Sequence, residues 1–79
     1  MKTVRFGKAA TKDLRVHAGQ ARRIVAKIEE YARNGAGDIK ELVGISGKRL
    51  RVGDYRVIFE ETETEIVVTK IGPRGAVYD

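Results

Sequence analysis

A stretch near the middle of the chain concentrates the side chains that are able to carry chemistry. It reads Lys48-Arg49-Leu50-Arg51-Val52-Gly53-Asp54-Tyr55-Arg56-Val57-Ile58-Phe59. Alternating apolar residues flank Gly53-Asp54, a pair that is typical of a two-residue β-hairpin turn. If Val52 pairs with Tyr55 across this turn, Arg51 lies directly opposite Arg56. Like charges in that arrangement destabilise a sheet, so the pattern indicates a function such as binding a polyanion.

Side-chain alternation divides the hairpin into an apolar face and an arginine face. We expect helices to cover the apolar face and to leave the arginine face open. The end of a later strand can bring further polar side chains to the same place. Guanidinium groups donate paired hydrogen bonds to phosphate, and a tyrosine ring can stack on a base, which suits single-stranded RNA. The candidate phosphate-binding set comprises Arg49, Arg51, Arg56, Arg74, Tyr78 and Lys48.

Hydrophobic periodicity predicts the elements that position these residues. A strand over 3–6 precedes helices over 8–17 and 20–33, with a break at Ala18-Gly19 and a stop at Asn34-Gly35. So short a link between two helices predicts an antiparallel helical hairpin. Residues 36–47 read as irregular, apart from a turn of helix around residues 40–42.

The C-terminal half is predicted to be mostly β-structure. The hairpin runs from 48 to about 61, and a third strand follows over 66–71. Because this strand is apolar on both faces, we expect it at the centre of the sheet. A short final strand is predicted over 76–78. The whole chain, 1–79, is therefore expected to form one α+β domain: an N-terminal strand, an antiparallel helical hairpin and then a mostly antiparallel sheet of three to four strands.

The composition excludes several classes of protein. The 79 residues include no cysteine and one histidine, so we expect no disulfide and no metal site. There is no apolar run of about twenty residues and no signal peptide, which predicts a cytoplasmic protein without a membrane span. The net charge of +5 is compatible with binding to nucleic acid, a ribosome, an acidic partner or a membrane surface, and charge alone does not choose among them. Four glutamates between 60 and 65 read as a solvated edge, and His17 reads as a helix-end residue.

The hairpin also resembles the central signature of the RelE/ParE toxin superfamily. Three further segments fit it in the right order, so the resemblance covers essentially the whole chain. They are Val4-Arg5-Phe6-Gly7-Lys8-Ala9-Ala10-Thr11-Lys12-Asp13-Leu14, Lys40-Glu41-Leu42-Val43-Gly44 and Lys70-Ile71-Gly72-Pro73-Arg74-Gly75-Ala76-Val77-Tyr78. The resemblance implies the toxin of a type II toxin–antitoxin pair.

RelE-type toxins act in the ribosomal A site and cut mRNA without a metal or another cofactor. The ribose 2′-oxygen attacks the adjacent phosphate and leaves a 2′,3′-cyclic phosphate. By position, the resemblance implies that Arg56 stabilises the charged phosphorane and that Arg74 assists at the phosphate or protonates the leaving oxygen. It also implies that Tyr78 stacks on a base, while Arg49 and Arg51 bind phosphate and help to activate the 2′-hydroxyl.

Two positions depart from the better-studied members of the superfamily. Arg49 stands where they carry a lysine, and Pro73 stands at a position that is often basic. Arginine is a poor general base because its pKa stays above about 12. The reaction would then depend on electrostatics, on Lys48 or on the ribosome.

The resemblance leaves two other functions open and implies partners. One alternative is a ParE-type inhibitor of DNA gyrase, and the other is a catalytically inactive module that binds the antitoxin and co-represses the operon. Retention of Arg56, Arg74 and Tyr78 favours the nuclease. A RelB-like antitoxin is the expected partner, beside the ribosome and mRNA, and operator DNA is bound only through the antitoxin. The basic N-terminal half offers a landing surface for it: Lys8, Lys12, Arg15, Arg22 and Arg23.

Overall fold

The computed structural model describes residues 1–44 and 46–75. The strand expected over 76–78 lies outside the described residues. No described helix is long and apolar enough to cross a membrane. The elements in this part of the chain are β1 (Thr3–Phe6), α1 (Lys8–Val16), α2 (Ala18–Asn34), β2 (Asp38–Glu41), β3 (Lys48–Val52), β4 (Tyr55–Glu61) and β5 (Glu65–Pro73).

The strands form one sheet in the order β1-β5-β4-β3-β2. β1 runs parallel to β5, and the other neighbouring pairs are antiparallel. β5 lies between β1 and β4, as its two apolar faces predict. The α+β class is therefore confirmed, and among the described residues β2 is the strand that was not expected.

The extra strand arises in the segment that was expected to be irregular. Instead of a helical turn, β2 pairs with β3, so that Ile39 lies opposite Leu50. The local glycine-rich sequence favours neither helix nor strand strongly. Pairing covers the edge of β3 and packs Ile39 against the core, and these tertiary gains outweigh local preference.

The break between the helices is one residue long. α2 begins at Ala18, so the break predicted at Ala18-Gly19 is wrong, and His17 alone separates the two helices. Gly19 lies in the first turn of α2, outside the helix interior where the conformational entropy of glycine is most destabilising. The predicted stop is confirmed: Gly35 has φ +76°, and its amide donates to the Tyr31 carbonyl oxygen at 2.8 Å.

The core fills the space between the helices and one face of the sheet. α1 contacts β5, and α2 contacts β1 and β3. Phe59 is fully buried, and its ring centroid lies 5.4 Å from that of Tyr31. The helices thus cover the apolar face of the hairpin, as predicted. The buried cluster consists of Ala10, Ile24, Ile28, Ala32, Leu50, Val52, Val57, Phe59, Ile66, Val68 and Ile71.

The β3–β4 turn has the predicted register. Val52 pairs with Tyr55, and Arg51 pairs with Arg56. Gly53 has φ +59° whereas Asp54 has a negative φ, which is the pattern of a type II′ turn with glycine at its first central position. This turn sets the positions of the arginines on the far side of the sheet.

Candidate functional site

The sheet face opposite the helices carries the arginines of the hairpin. Arg51 and Arg56 are direct cross-strand neighbours, and Arg49 lies opposite Ile58. β2 adds a further cation, since Lys40 is paired with Arg49. We call Arg49, Arg51 and Arg56 the arginine face. The observed register of β3 and β4 places these three arginines on one face, as side-chain alternation predicts.

Arg56 is buried, and in this respect the expected open face is wrong. Only 4% of its surface is exposed. Its Nη1 donates to the carbonyl oxygens of Gly53 and Tyr55, both at 3.1 Å. The facing residue on β5 is Gly72, which has no side chain to compete for the space. A guanidinium held in this way is a preorganised positive charge beneath the face.

The other two arginines are more accessible. Arg51 is exposed, whereas Arg49 is half-buried and its Nε atom is buried. Both are fixed on β3 and so keep a constant spacing along the strand. The arginine face therefore combines one buried charge with charges nearer to solvent.

Arg74 is joined to the same corner through its backbone. Its amide donates to the Asp54 carbonyl oxygen at 2.7 Å, immediately after Pro73 pairs with Tyr55. The Arg74 residue itself is exposed. Tyr78 lies outside the described residues, so its role stays a prediction from sequence.

Lys48 does not join the arginines. It lies two residues before Leu50 on β3 and therefore shares the helix-covered face, where its Nζ donates to Oε1 of Glu61 at 2.8 Å. Lys2 donates to Oε2 of the same carboxylate at 2.7 Å, and the Tyr31 hydroxyl donates to Oε1 at 2.7 Å. We call these four residues the Glu61 cluster. It borders an open depression of about 470 Å³ at the end of the sheet where β3 begins and β4 finishes.

The Glu61 cluster shifts the pKa values of its members. Burial would raise the pKa of Glu61, but the hydrogen bonds from Lys2, Lys48 and Tyr31 outweigh it and lower the pKa to about 2. The bond to Glu61 raises the pKa of Lys48. Burial and the bond to Glu61 raise the pKa of Tyr31. A lysine with a raised pKa is a weaker candidate for a general base.

Sequence reasoning missed this cluster because it treated the glutamates of 60–65 as one solvated edge. Only 14% of the Glu61 side chain is exposed. The signal was present in the alternation, since Glu61 follows the core residue Phe59 by two positions and Lys48 precedes Leu50 by two. Among residues 1–44 and 46–75, no group of three His, Cys, Asp or Glu side chains is arranged to hold a metal ion.

Residues 4–78 match the family model of the ParE toxins of type II toxin–antitoxin systems. The chain belongs to the RelE/ParE toxin superfamily. None of the curated proteins gives a significant match to this toxin. The assignment confirms the resemblance read from the hairpin and from the C-terminal segment.

Solved structures of related toxins have the same fold as this RelE/ParE-type chain. A chain of the RelB–RelE antitoxin–toxin complex from Methanococcus jannaschii is 30% identical, with a TM-score of 0.73, and the match covers 92% of this chain and 93% of that one. For the archaeal RelE–RelB complex from Pyrococcus horikoshii OT3 the identity is 26%, the TM-score 0.75 and the coverage 96% and 98%.

A more distant structure agrees in fold alone. The YoeB dimer from Staphylococcus aureus is 21% identical to this toxin over 87% of this chain and 92% of that one, with a TM-score of 0.66. The likeness to this structure concerns the overall fold.

Proposed function

We propose that this toxin is a ribosome-dependent, metal-independent endoribonuclease that cuts mRNA and thereby inhibits translation. The observation that carries the proposal is the corner formed by the β3–β4 turn. There Arg51 and Arg56 are cross-strand neighbours, and the Arg74 backbone is bonded to the turn. Clustered guanidinium groups suit the phosphate of an RNA backbone.

In the proposed reaction, the ribose 2′-oxygen attacks the adjacent phosphorus atom and the bond from phosphorus to the 5′-oxygen breaks. The products are a 2′,3′-cyclic phosphate and a 5′-hydroxyl, which takes up a proton as the 2′-hydroxyl loses one. Arg56 contributes a fixed positive charge where negative charge develops on the phosphorane. Arg49 and Arg51 bind the phosphate, and Arg74 assists at the leaving oxygen. Tyr78 is assigned to base stacking by sequence position.

The Glu61 cluster limits which residue can act as the general base that removes the 2′-hydroxyl proton. Lys48 lies on the helix-covered face, and its bond to Glu61 raises its pKa. Arg49 cannot lose a proton near neutral pH. We therefore assign the rate enhancement to electrostatic stabilisation, with removal of the 2′-hydroxyl proton left to the ribosome or to solvent.

We also propose a RelB-like antitoxin as the partner, with operator DNA bound through that antitoxin. The archaeal relatives above are complexes of RelE with RelB. On this chain, five exposed cations on the two helices form a surface for an acidic segment, because opposite potentials speed association. They are Lys8, Lys12, Arg15, Arg22 and Arg23.

A second candidate function is inhibition of DNA gyrase. It is favoured by the family match, which is to toxins named for ParE. The placement of Lys48 away from the arginines also fits it, since a gyrase inhibitor needs no RNA-cutting residues. An inactive module that binds only the antitoxin is the third outcome of the test below.

The deciding experiment is induced expression in a bacterial host, followed by primer extension on a translated mRNA. Wild type is compared with Arg56→Gln, with Arg74→Ala and with Arg33→Ala, a control at an exposed position near the end of α2. Soluble yield and circular dichroism of each variant establish that it is folded, which matters for the buried Arg56.

Translation-dependent cuts with wild type and Arg33→Ala, but not with the two site variants, are expected. Growth arrest without cuts, unaffected by Arg74→Ala and accompanied by gyrase-linked DNA breaks, would instead establish the second function. Absence of arrest with every protein would leave the antitoxin-binding module.

A further inference from the structure

The three consecutive carbonyl groups of the β3–β4 turn hold two of the proposed site residues. Those of Gly53 and Tyr55 accept from the Arg56 guanidinium, and that of Asp54 accepts from the Arg74 amide. A displacement of this turn would move Arg56 and Arg74 together. The turn therefore connects the two strands and also positions Arg56 and Arg74.

The same turn is held from the helix side of the sheet. Tyr55 alternates with Arg56, so its ring points to the opposite face and meets His17. The two ring centroids are 5.1 Å apart at an interplanar angle of 75°, and the Tyr55 hydroxyl is hydrogen-bonded to Nδ1 of His17 at 3.3 Å. The Arg23 guanidinium lies where a Cβ on Gly53 would be.

His17 is itself fixed firmly. It is the one residue between α1 and α2, its amide donates to the Asp13 carbonyl oxygen at 2.9 Å, and its own carbonyl accepts from the Gln20 amide at 2.9 Å. The Asp13 side chain accepts from the Ile71 amide at 2.9 Å, which ties the end of α1 to β5. The helix junction is therefore a rigid support on which Tyr55 rests.

We propose that His17 is a positioning residue for the RNA-cutting site, acting through Tyr55 on the turn that holds Arg56 and Arg74. This inference deepens the proposed function and rests on it for the effect on cleavage. His17 lies on the face opposite the arginine face and contacts no substrate. Its contribution is to keep the carbonyl groups of the turn in place, so that the two cationic residues stay aligned.

The test compares His17→Ala, Tyr55→Phe and a matched control, Val16→Ala, at the exposed neighbouring position. Misplacement of a catalytic group by about 1 Å can cost about a hundredfold in rate. We therefore expect His17→Ala to lower the single-turnover rate on mRNA-programmed ribosomes about ten- to a hundredfold, with the half-saturating toxin concentration changed less than about threefold. Tyr55→Phe keeps the ring contact and should retain at least about a third of the wild-type rate.

A second readout does not depend on cleavage. The Arg74 amide reports the turn through its bond to Asp54, and the Gly35 amide reports the far end of α2. In His17→Ala, hydrogen exchange of the Arg74 amide should accelerate about tenfold or more while that of Gly35 is unchanged, a pattern of local opening. Val16→Ala should change neither amide.

Equal acceleration of both amides in His17→Ala would mean a general loss of stability and would overturn the positioning role. So would exchange and cleavage identical to wild type. If the wild type cuts no mRNA, the proposed function fails by itself, and the two amides still decide whether His17 fixes the turn.

Discussion

Replacing the central carboxylate of the Glu61 cluster should cost the protein measurable stability. Glu61→Gln keeps the shape of the side chain but removes the charge on which Lys2 and Lys48 converge. The side chain is 14% exposed, while those of the lysines are 29% and 33% exposed. The two ion pairs that are lost therefore join a carboxylate largely shielded from water to lysines that are still partly exposed to it.

The magnitude follows from the pKa of Glu61. Its value is about 2 in the folded protein against an ordinary value of 4.5, a difference that corresponds to at most about 3 kcal/mol. Solvent screening at the two lysines reduces this figure, and we expect a loss of about 2 kcal/mol at pH 7.

The dependence on pH has a definite sign. Because the folded-state pKa is the lower one, the contribution of Glu61 is complete above pH 4.5 and is lost as the pH falls towards 2. Wild type and Glu61→Gln should therefore differ by about 2 kcal/mol at neutral pH and should converge in acid.

Urea denaturation at several pH values between 7 and 2 measures this difference. Glu63→Gln is the matched control, since Glu63 is exposed on the rim of the same depression, and it should change stability by less than about 0.5 kcal/mol. A Glu61→Gln deficit that stayed constant from pH 7 to pH 2.5, or that never exceeded the control, would refute the reasoning.

Three further predictions concern the stability of the fold and are tested by urea denaturation. Phe59→Ala should cost about 3–5 kcal/mol, because the side chain is fully buried; a loss below about 2 kcal/mol would contradict its central place. Asp13→Ala leaves the Ile71 amide without its acceptor and should cost about 1–3 kcal/mol, with faster exchange at that amide; unchanged exchange would speak against the bond. Gly53→Ala, at φ +59°, should cost about 1–2 kcal/mol, whereas Gly19→Ala, in an exposed helix, should be neutral or stabilising; similar results for both would contradict the strained turn.

Several features were predictable because they depend on neighbours in sequence. The pairing of Arg51 with Arg56 follows from a two-residue turn and the two-residue period of a strand. The end of α2 follows from Gly35. The internal position of β5 follows from its two apolar faces, and the superfamily follows from motifs in the right order.

Other features required partners that are distant in sequence. β2 exists because β3 offers it an edge, and Ile39 gains burial there, although the local sequence favours no strand. Lys48 was assigned to the phosphate-binding set, but the partner that holds it, Glu61, lies on the next strand and is shared with Lys2. Local propensity carries no information about such pairs.

The burial of Arg56 and the contact of His17 with Tyr55 also depend on residues that are distant in sequence. Residue types indicated that Arg56 sits among other cations, but its exposure depends on how the turn and Gly72 close around it. His17 and Tyr55 are in contact because the packing of the helices on the sheet places the junction of α1 and α2 next to the β3–β4 turn. Alternation and turn chemistry act over a few residues and can be read along the chain, whereas burial and pairing depend on which distant segments the collapsed chain brings together.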